Sequence, residues 1–170
     1  MSDPKTLFQQ SGRGYAPATL AKATLLIIDA QEEYRSGVLS LPEVDKAATE
    51  IAALLTAART LGSPLLHVKH LGIPGGLLDP QGPRGNFLPG LEPLENEIVV
   101  EKRLPNAFAN TELHERLQQL AHLDLIVCGF MSHSSVSTTV RAAKDYGYRC
   151  TVVNDACATR DLPSVDGVIS

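Results

Sequence analysis

Five short apolar runs, four of them closed by a polar residue, set the first limit on what this chain can fold into. They are "ATLLIID" (23–29), "SPLLHVKH" (63–70), "EIVVEK" (97–102), "LDLIVCGF" (123–130) and "YRCTVVND" (148–155). Runs of this length, rich in Leu, Ile and Val and without alternation, suit strands buried on both faces. The segments between them carry helical spacing. "PEVDKAATEIAALLTAARTLG" places Val44, Ala47, Ile51, Leu54, Leu55, Ala58 and Leu61 on one face, with Pro42 in the first turn and Gly62 just past the end. "ANTELHERLQQLAHL" has Leu113, Leu117 and Leu120 as its stripe and Asn110 or Thr111 as its cap. Strand, helix and strand in alternation predict an α/β fold: three αβα layers around a mostly parallel sheet.

No repeat or second domain interrupts residues 1–170, so a single domain is expected, with the polar, Gly- and Pro-containing residues 1–20 as an N-terminal arm. The net charge is -4 and no basic run occurs, which disfavours nucleic acid and anionic membrane as partners. No apolar stretch has signal-peptide character or membrane-spanning length. The three cysteines lack Cys-x-x-Cys spacing and are odd in number, which points to a reduced, cytoplasmic protein without a disulfide framework. Cys128 and Cys150 read as buried strand thiols, and Cys157 as a thiol in the loop after the fifth strand.

In parallel sheets the ligand sits beyond the carboxyl ends of the strands. The residues closing the strands are Asp29, His70, Lys102, the turn Gly129–Ser135, and Asp155. Taken singly, Asp29 also suits a helix cap, Lys102 a solvated surface charge, and the turn a plain strand-to-helix connection. Together, a carboxylate, an ammonium and a helix-start nucleophile suit acyl transfer. The carboxylate moves the proton, the ammonium favours an ionised nucleophile, and helix-start N–H groups hold an oxyanion. His67 and His70 lie on opposite faces of their strand, so a shared metal is not expected. The segment Leu71–Asn96, rich in Gly and Pro, is long enough to be functional or mobile.

The blocks "LLIIDAQ", "VVEKRLPNAF" and "GFMSHSSVSTTVRAAKDYGYRCTVVNDACATRD" resemble, in order, the signature blocks of the isochorismatase-like cysteine hydrolases. That superfamily includes nicotinamidases, N-carbamoylsarcosine amidases and isochorismatases. The resemblance implies Asp29 as general base, Lys102 as catalytic lysine and Ser135 at the nucleophile's place. It implies a cis bond between Phe130 and Met131, with the Met131 and Ser135 N–H groups as oxyanion hole. Gln31 resembles a substrate-pocket position of the family or is a turn residue, and Phe108 is a wall of the substrate pocket or part of the core. The zinc-binding pattern of the nicotinamidases is absent, so the reading is no metal and no cofactor, and a small-molecule substrate other than nicotinamide. The implied activity is hydrolysis of a small carboxamide C–N bond.

Two departures stand out. The family's nucleophilic cysteine is a serine here, and neither a Ser-His-Asp triad nor a Gly-x-Ser-x-Gly elbow supports it; neighbouring His133 is expected to point away. The leading reading is a cysteine replaced by serine, a change that traps bound substrate. The others are a vinyl-ether hydrolase of isochorismatase type, in which Asp29 acts without a covalent nucleophile, and a non-catalytic binder. The second departure is that the sequence stops at Ser170, before the C-terminal helix and sixth strand that the resemblance implies. One sheet edge would then be uncovered, and a homo-oligomer is expected to cover it.

Overall fold

The computed structural model of the chain describes residues 4–5, 7–11 and 16–169. Five parallel strands form the central sheet: β1 (Thr24–Ile28), β2 (Leu65–His70), β3 (Ile98–Lys102), β4 (Asp124–Phe130) and β5 (Arg149–Ala158). Their order is β3-β2-β1-β4-β5, so the chain reverses its direction of travel across the sheet between β1 and β4. Such a switch point opens a crevice at the carboxyl ends of the two strands. Among the described residues the α-helices are α1 (Leu7–Gln10), α2 (Glu33–Ser36), α3 (Val44–Leu61), α4 (Leu113–Leu120) and α5 (Ser137–Asp145). The three-layer αβα architecture is therefore as expected. The expected N-terminal arm falls partly outside the described residues; the rest holds α1 and a short 3-10 turn from Leu20 to Lys22.

β1 shows why its run reads as continuous apolar. Leu25 and Ile27 join one core with Ala47, Ile51, Leu55 and Ala58 of α3. Leu26 and Ile28 join the other with Leu113, Leu117, Val136 and Ala143 from the α4–α5 side. Alternate side chains from Leu25 to Ile28 thus feed two cores, and that stretch leaves no position for a polar residue. The α3 stripe follows the expected spacing except at Leu61, which is exposed. Gly62 ends that helix in the left-handed region (φ 65°), and its N–H bonds the Ala58 carbonyl.

Two expectations need correction. α4 starts at Leu113 rather than directly behind Asn110 or Thr111. Asn110 takes φ 57°, and the Thr111 hydroxyl accepts the Leu113 N–H at 3.3 Å, so the cap is built by a turn ahead of the helix. β5 continues to Ala158, which moves Asp155 and Cys157 into the strand. Its register with β4 shifts between Val127 and Gly129, a bulge that carries pairing on to Gly129↔Cys157 and Phe130↔Ala158. As an edge strand it tolerates exposed Asn154 and Asp155, which had marked a false end. A small hairpin follows, β6 (Leu162–Ser164) with β7 (Gly167–Ile169).

The segment Leu71–Asn96 is tied to the residues after β1. Leu88 N–H bonds the Ala30 carbonyl, Glu32 N–H bonds the Asn86 carbonyl, and Gln31 pairs with Phe87 as an antiparallel bridge. Among the described residues no helix is long and apolar enough to cross a membrane.

Gly129 sets the distance between β4 and β1 at the switch point. Its φ is +119°, and an added Cβ would stand 1.9 Å from the Ile28 carbonyl oxygen. We predict that Gly129→Ala destabilises the fold by about 3 kcal/mol or more. Urea unfolding checks this; a variant as stable as the parent would contradict the packing argument.

Candidate active site

β1 ends in a turn that a carboxylate occupies. Asp29 follows Ile28 with φ 51°, in the left-handed region that Asp adopts more readily than bulkier residues. Its side chain is fully buried, and the Lys102 Nζ lies 2.7 Å from Oδ2. Lys102 ends β3, at the sheet edge, yet only 1% of it is exposed. Its side chain turns inward across the end of β2 and reaches the switch point. There Nζ donates to the Ser135 Oγ at 3.2 Å and meets the His70 Nδ1 at 2.9 Å. Ser135 is itself buried, within the wide π-type turn Ser132–Val136 that links β4 to α5. The Phe130–Met131 peptide bond ahead of it is cis.

The electrostatics follow from burial. Desolvation raises the Asp29 carboxyl to about 6, against the lowering pull of Lys102 and Ser135. Ser135 lies close enough to contribute, although no well-aligned hydrogen bond joins it to either carboxylate oxygen. The carboxyl thus titrates near neutrality, where a group can both take and give a proton. His70 moves the other way, down to about 4, because burial and then Lys102 and Arg103 disfavour its cation. Its ring is neutral and accepts from the lysine.

The structure thus brings Asp29, Lys102 and Ser135 together. It gives Gln31 a backbone task. The Gln31 Nε2 donates to the His70 carbonyl at 3.0 Å and the Gly85 carbonyl at 2.9 Å, and its Oε1 accepts the His70 N–H at 2.8 Å. Phe108 lies in the second core, stacked on Tyr146 and Tyr148 at centroid distances of 4.9 and 6.0 Å. Its loop is pinned by the Thr139 hydroxyl, which accepts the Ala107 N–H at 3.0 Å. His133 is exposed and turned to the Thr159 hydroxyl. Burial raises all three cysteine thiols, and Cys128 lies wholly inside the sheet.

Sequence reading missed Glu33. It is fully buried, and its Oε2 accepts the Leu78 N–H at 3.1 Å while its Oε1 accepts the Leu39 N–H at 3.4 Å. Arg84 stands 3.8 Å from the same carboxylate. Glu33 thereby fastens the long loop beside the site. The signal was available as an acidic residue two positions past Gln31, but helix-start acids are common on surfaces and say nothing of burial.

Comparison with known proteins decides the family: a profile of the isochorismatase domain matches residues 23–169. The chain belongs to the isochorismatase family. The isochorismatase-family protein YddQ of Bacillus subtilis is 40% identical over 85% of this chain and 82% of its own length. A streptothricin hydrolase of Streptomyces noursei is 33% identical over 85% of the chain, which spans 52% of that longer protein. The crystal structure of an isochorismatase from Pseudomonas putida KT2440 superposes with a TM-score of 0.95 at 68% identity, covering 98% of this chain and 86% of the other. This isochorismatase-family domain is accordingly a member of a family of hydrolases.

The lysine is one of the two contacts that pull the Asp29 carboxyl down. We predict that Lys102→Met moves that carboxyl upward from about 6. Carbonyl-detected NMR titration checks the direction; an unchanged or lowered pKa would contradict the pairing.

Proposed function

We propose that this domain is a small-amide hydrolase site of the Asp–Lys–nucleophile kind, carrying serine at the nucleophile position. One observation carries the reading: a buried lysine Nζ lies 2.7 Å from the Asp29 carboxylate and 3.2 Å from the Ser135 Oγ. A relative at 33% identity named for streptothricin hydrolysis supports a hydrolase of this general class. With cysteine at position 135, Asp29 takes the thiol proton and Lys102 stabilises the thiolate. The thiolate attacks the amide carbonyl, and the Met131 and Ser135 backbone N–H groups hold the oxyanion. Asp29 returns the proton to the leaving nitrogen, and ammonia or an amine departs. Water then loses a proton to Asp29, attacks the acyl carbon and frees the acid and the thiolate. Gln31 holds the end of β2 beside the site through the His70 backbone, and Phe108 packs in the core.

With serine the same field meets a far weaker acid, so the chain as it stands binds amides and turns them over slowly or not at all. We predict that Ser135→Cys raises ammonia release from a panel of small amides at least 100-fold, and that Lys102→Met in that background abolishes the gain. A folded but inert Ser135→Cys, or a serine form that is already fast, would count against the amidase reading.

One observation favours a second reading. A buried carboxyl titrating near 6 is a competent proton donor at neutral pH, and a vinyl ether needs only protonation and water. Pyruvate release from isochorismate by the serine form separates this reading from the first.

We also propose a homo-oligomer. β5 is an edge strand with Val152 exposed, beside a groove lined by Val136, Val140 and Cys157. Light scattering at micromolar concentration should return at least twice the single-chain mass; the mass of one chain would overturn the proposal.

A further inference from the structure

β3 lies two strands from β1, with β2 between them. At the usual strand spacing that gap is about 10 Å. Lys102 must cross it at the end of β2, and the residue registered beside it there is His70. A buried ammonium has three N–H groups, and each needs an acceptor. Asp29 stands 2.7 Å away as the ion-pair partner, the Ser135 Oγ accepts at 3.2 Å and the His70 Nδ1 at 2.9 Å. His70 is in turn fixed by Gln31, whose amide accepts its N–H and donates to its carbonyl.

We propose that His70, held by Gln31, is a positioning residue that aims the Lys102 ammonium at the nucleophile position through a neutral Nδ1 acceptor. This rests on the reading of Lys102 as the charge that stabilises an anion at residue 135. Neutrality is the point of the choice. A second carboxylate in this place would hold the lysine equally well but would add to the negative charge that Asp29 already sets beside it. A neutral imidazole fixes geometry without drawing further on the field that reaches residue 135. Its low basicity, set by burial and by Lys102 itself, keeps it neutral across the working range. Because Nδ1 accepts, the ring proton resides on Nε2.

The test uses Ser135→Cys as a reporter. The pH dependence of its alkylation by iodoacetamide, followed by peptide mass mapping to exclude Cys157, gives the thiol pKa. His70→Leu should raise that pKa by about one unit, which moves the alkylation profile up by the same unit and slows the reaction roughly tenfold on the limb below its midpoint. His70→Asn, whose Oδ1 can stand where Nδ1 stood, should restore most of the rate. Lys102→Met provides the control. If it raises the thiol pKa while His70→Leu does not, the His70 role is wrong and the lysine reading stands. If Lys102→Met leaves the thiol pKa unchanged, both fall. The unmutated chain offers a check independent of folding defects in the variants. Its imidazole 15N spectrum should show His70 as the neutral Nε2–H tautomer from pH 5 to 8. A Nδ1–H tautomer, or titration near the ordinary histidine value, would overturn the proposal.

Discussion

A lysine ammonium and an aspartate carboxylate share the interior of this domain, 2.7 Å apart and with no solvent exposure of either side chain. Burying such a pair costs several kcal/mol per ion in desolvation, and an apolar pair of similar volume is often as stable or more so. The pair is therefore poorly explained as a device for stability. Its balance points elsewhere. Desolvation outweighs the attraction of the lysine, and the carboxyl rises to about 6. In water an adjacent cation would have pushed it down. The fold keeps a proton acceptor poised near neutrality.

The sheet order makes that pair possible. Because β4 lies beside β1, the turn after Phe130 opens directly next to Asp29. Gly129 allows the approach, since any side chain there would strike the Ile28 backbone. Lys102 comes from the far side, over the end of β2, so three strand ends converge on one point. The loop after β2 then closes over it. Glu33 and Gln31 hold that loop by its own N–H and carbonyl groups, at Leu78 and Gly85. Polar side chains buried next to the site thus serve the backbone around it, which satisfies groups that a coil segment would otherwise leave unpaired.

Strands β1 to β4 and the stripe of α3 were legible in the sequence because each is apolar in the pattern its burial demands. Asp29 and Lys102 were legible as polar residues closing apolar strands. Other features were not. β5 was read three residues short, because an edge strand exposes Asn154 and Asp155 and then resumes pairing after a bulge. The β6–β7 hairpin has only three residues per strand, too few for a period-2 pattern to emerge. His70 was visible as a strand end, but its bond to Lys102 depends on a register between β2 and β3 that spacing alone does not fix. Gln31 was placed at the pocket by resemblance, and Phe108 was read as pocket wall or core. The structure shows what each touches: the backbone of β2 and of the loop in one case, two tyrosine rings in the other.

The remaining question is what one oxygen atom changes. Nζ lies 3.2 Å from Oγ of residue 135. At an effective dielectric near 20, a unit charge at that distance favours an anion by about 5 kcal/mol. That is roughly four pK units. A thiol starts near 8.5, so the same field carries it below neutrality and yields a thiolate. A serine hydroxyl starts several units higher, and four units leave it protonated. Ser135 therefore remains a hydroxyl that accepts from Lys102. The proton-handling capacity of the site then rests on Asp29 alone. The two chemistries considered for this site divide at this point: nucleophilic attack needs the anion at residue 135, whereas protonation of substrate needs only the buried carboxyl.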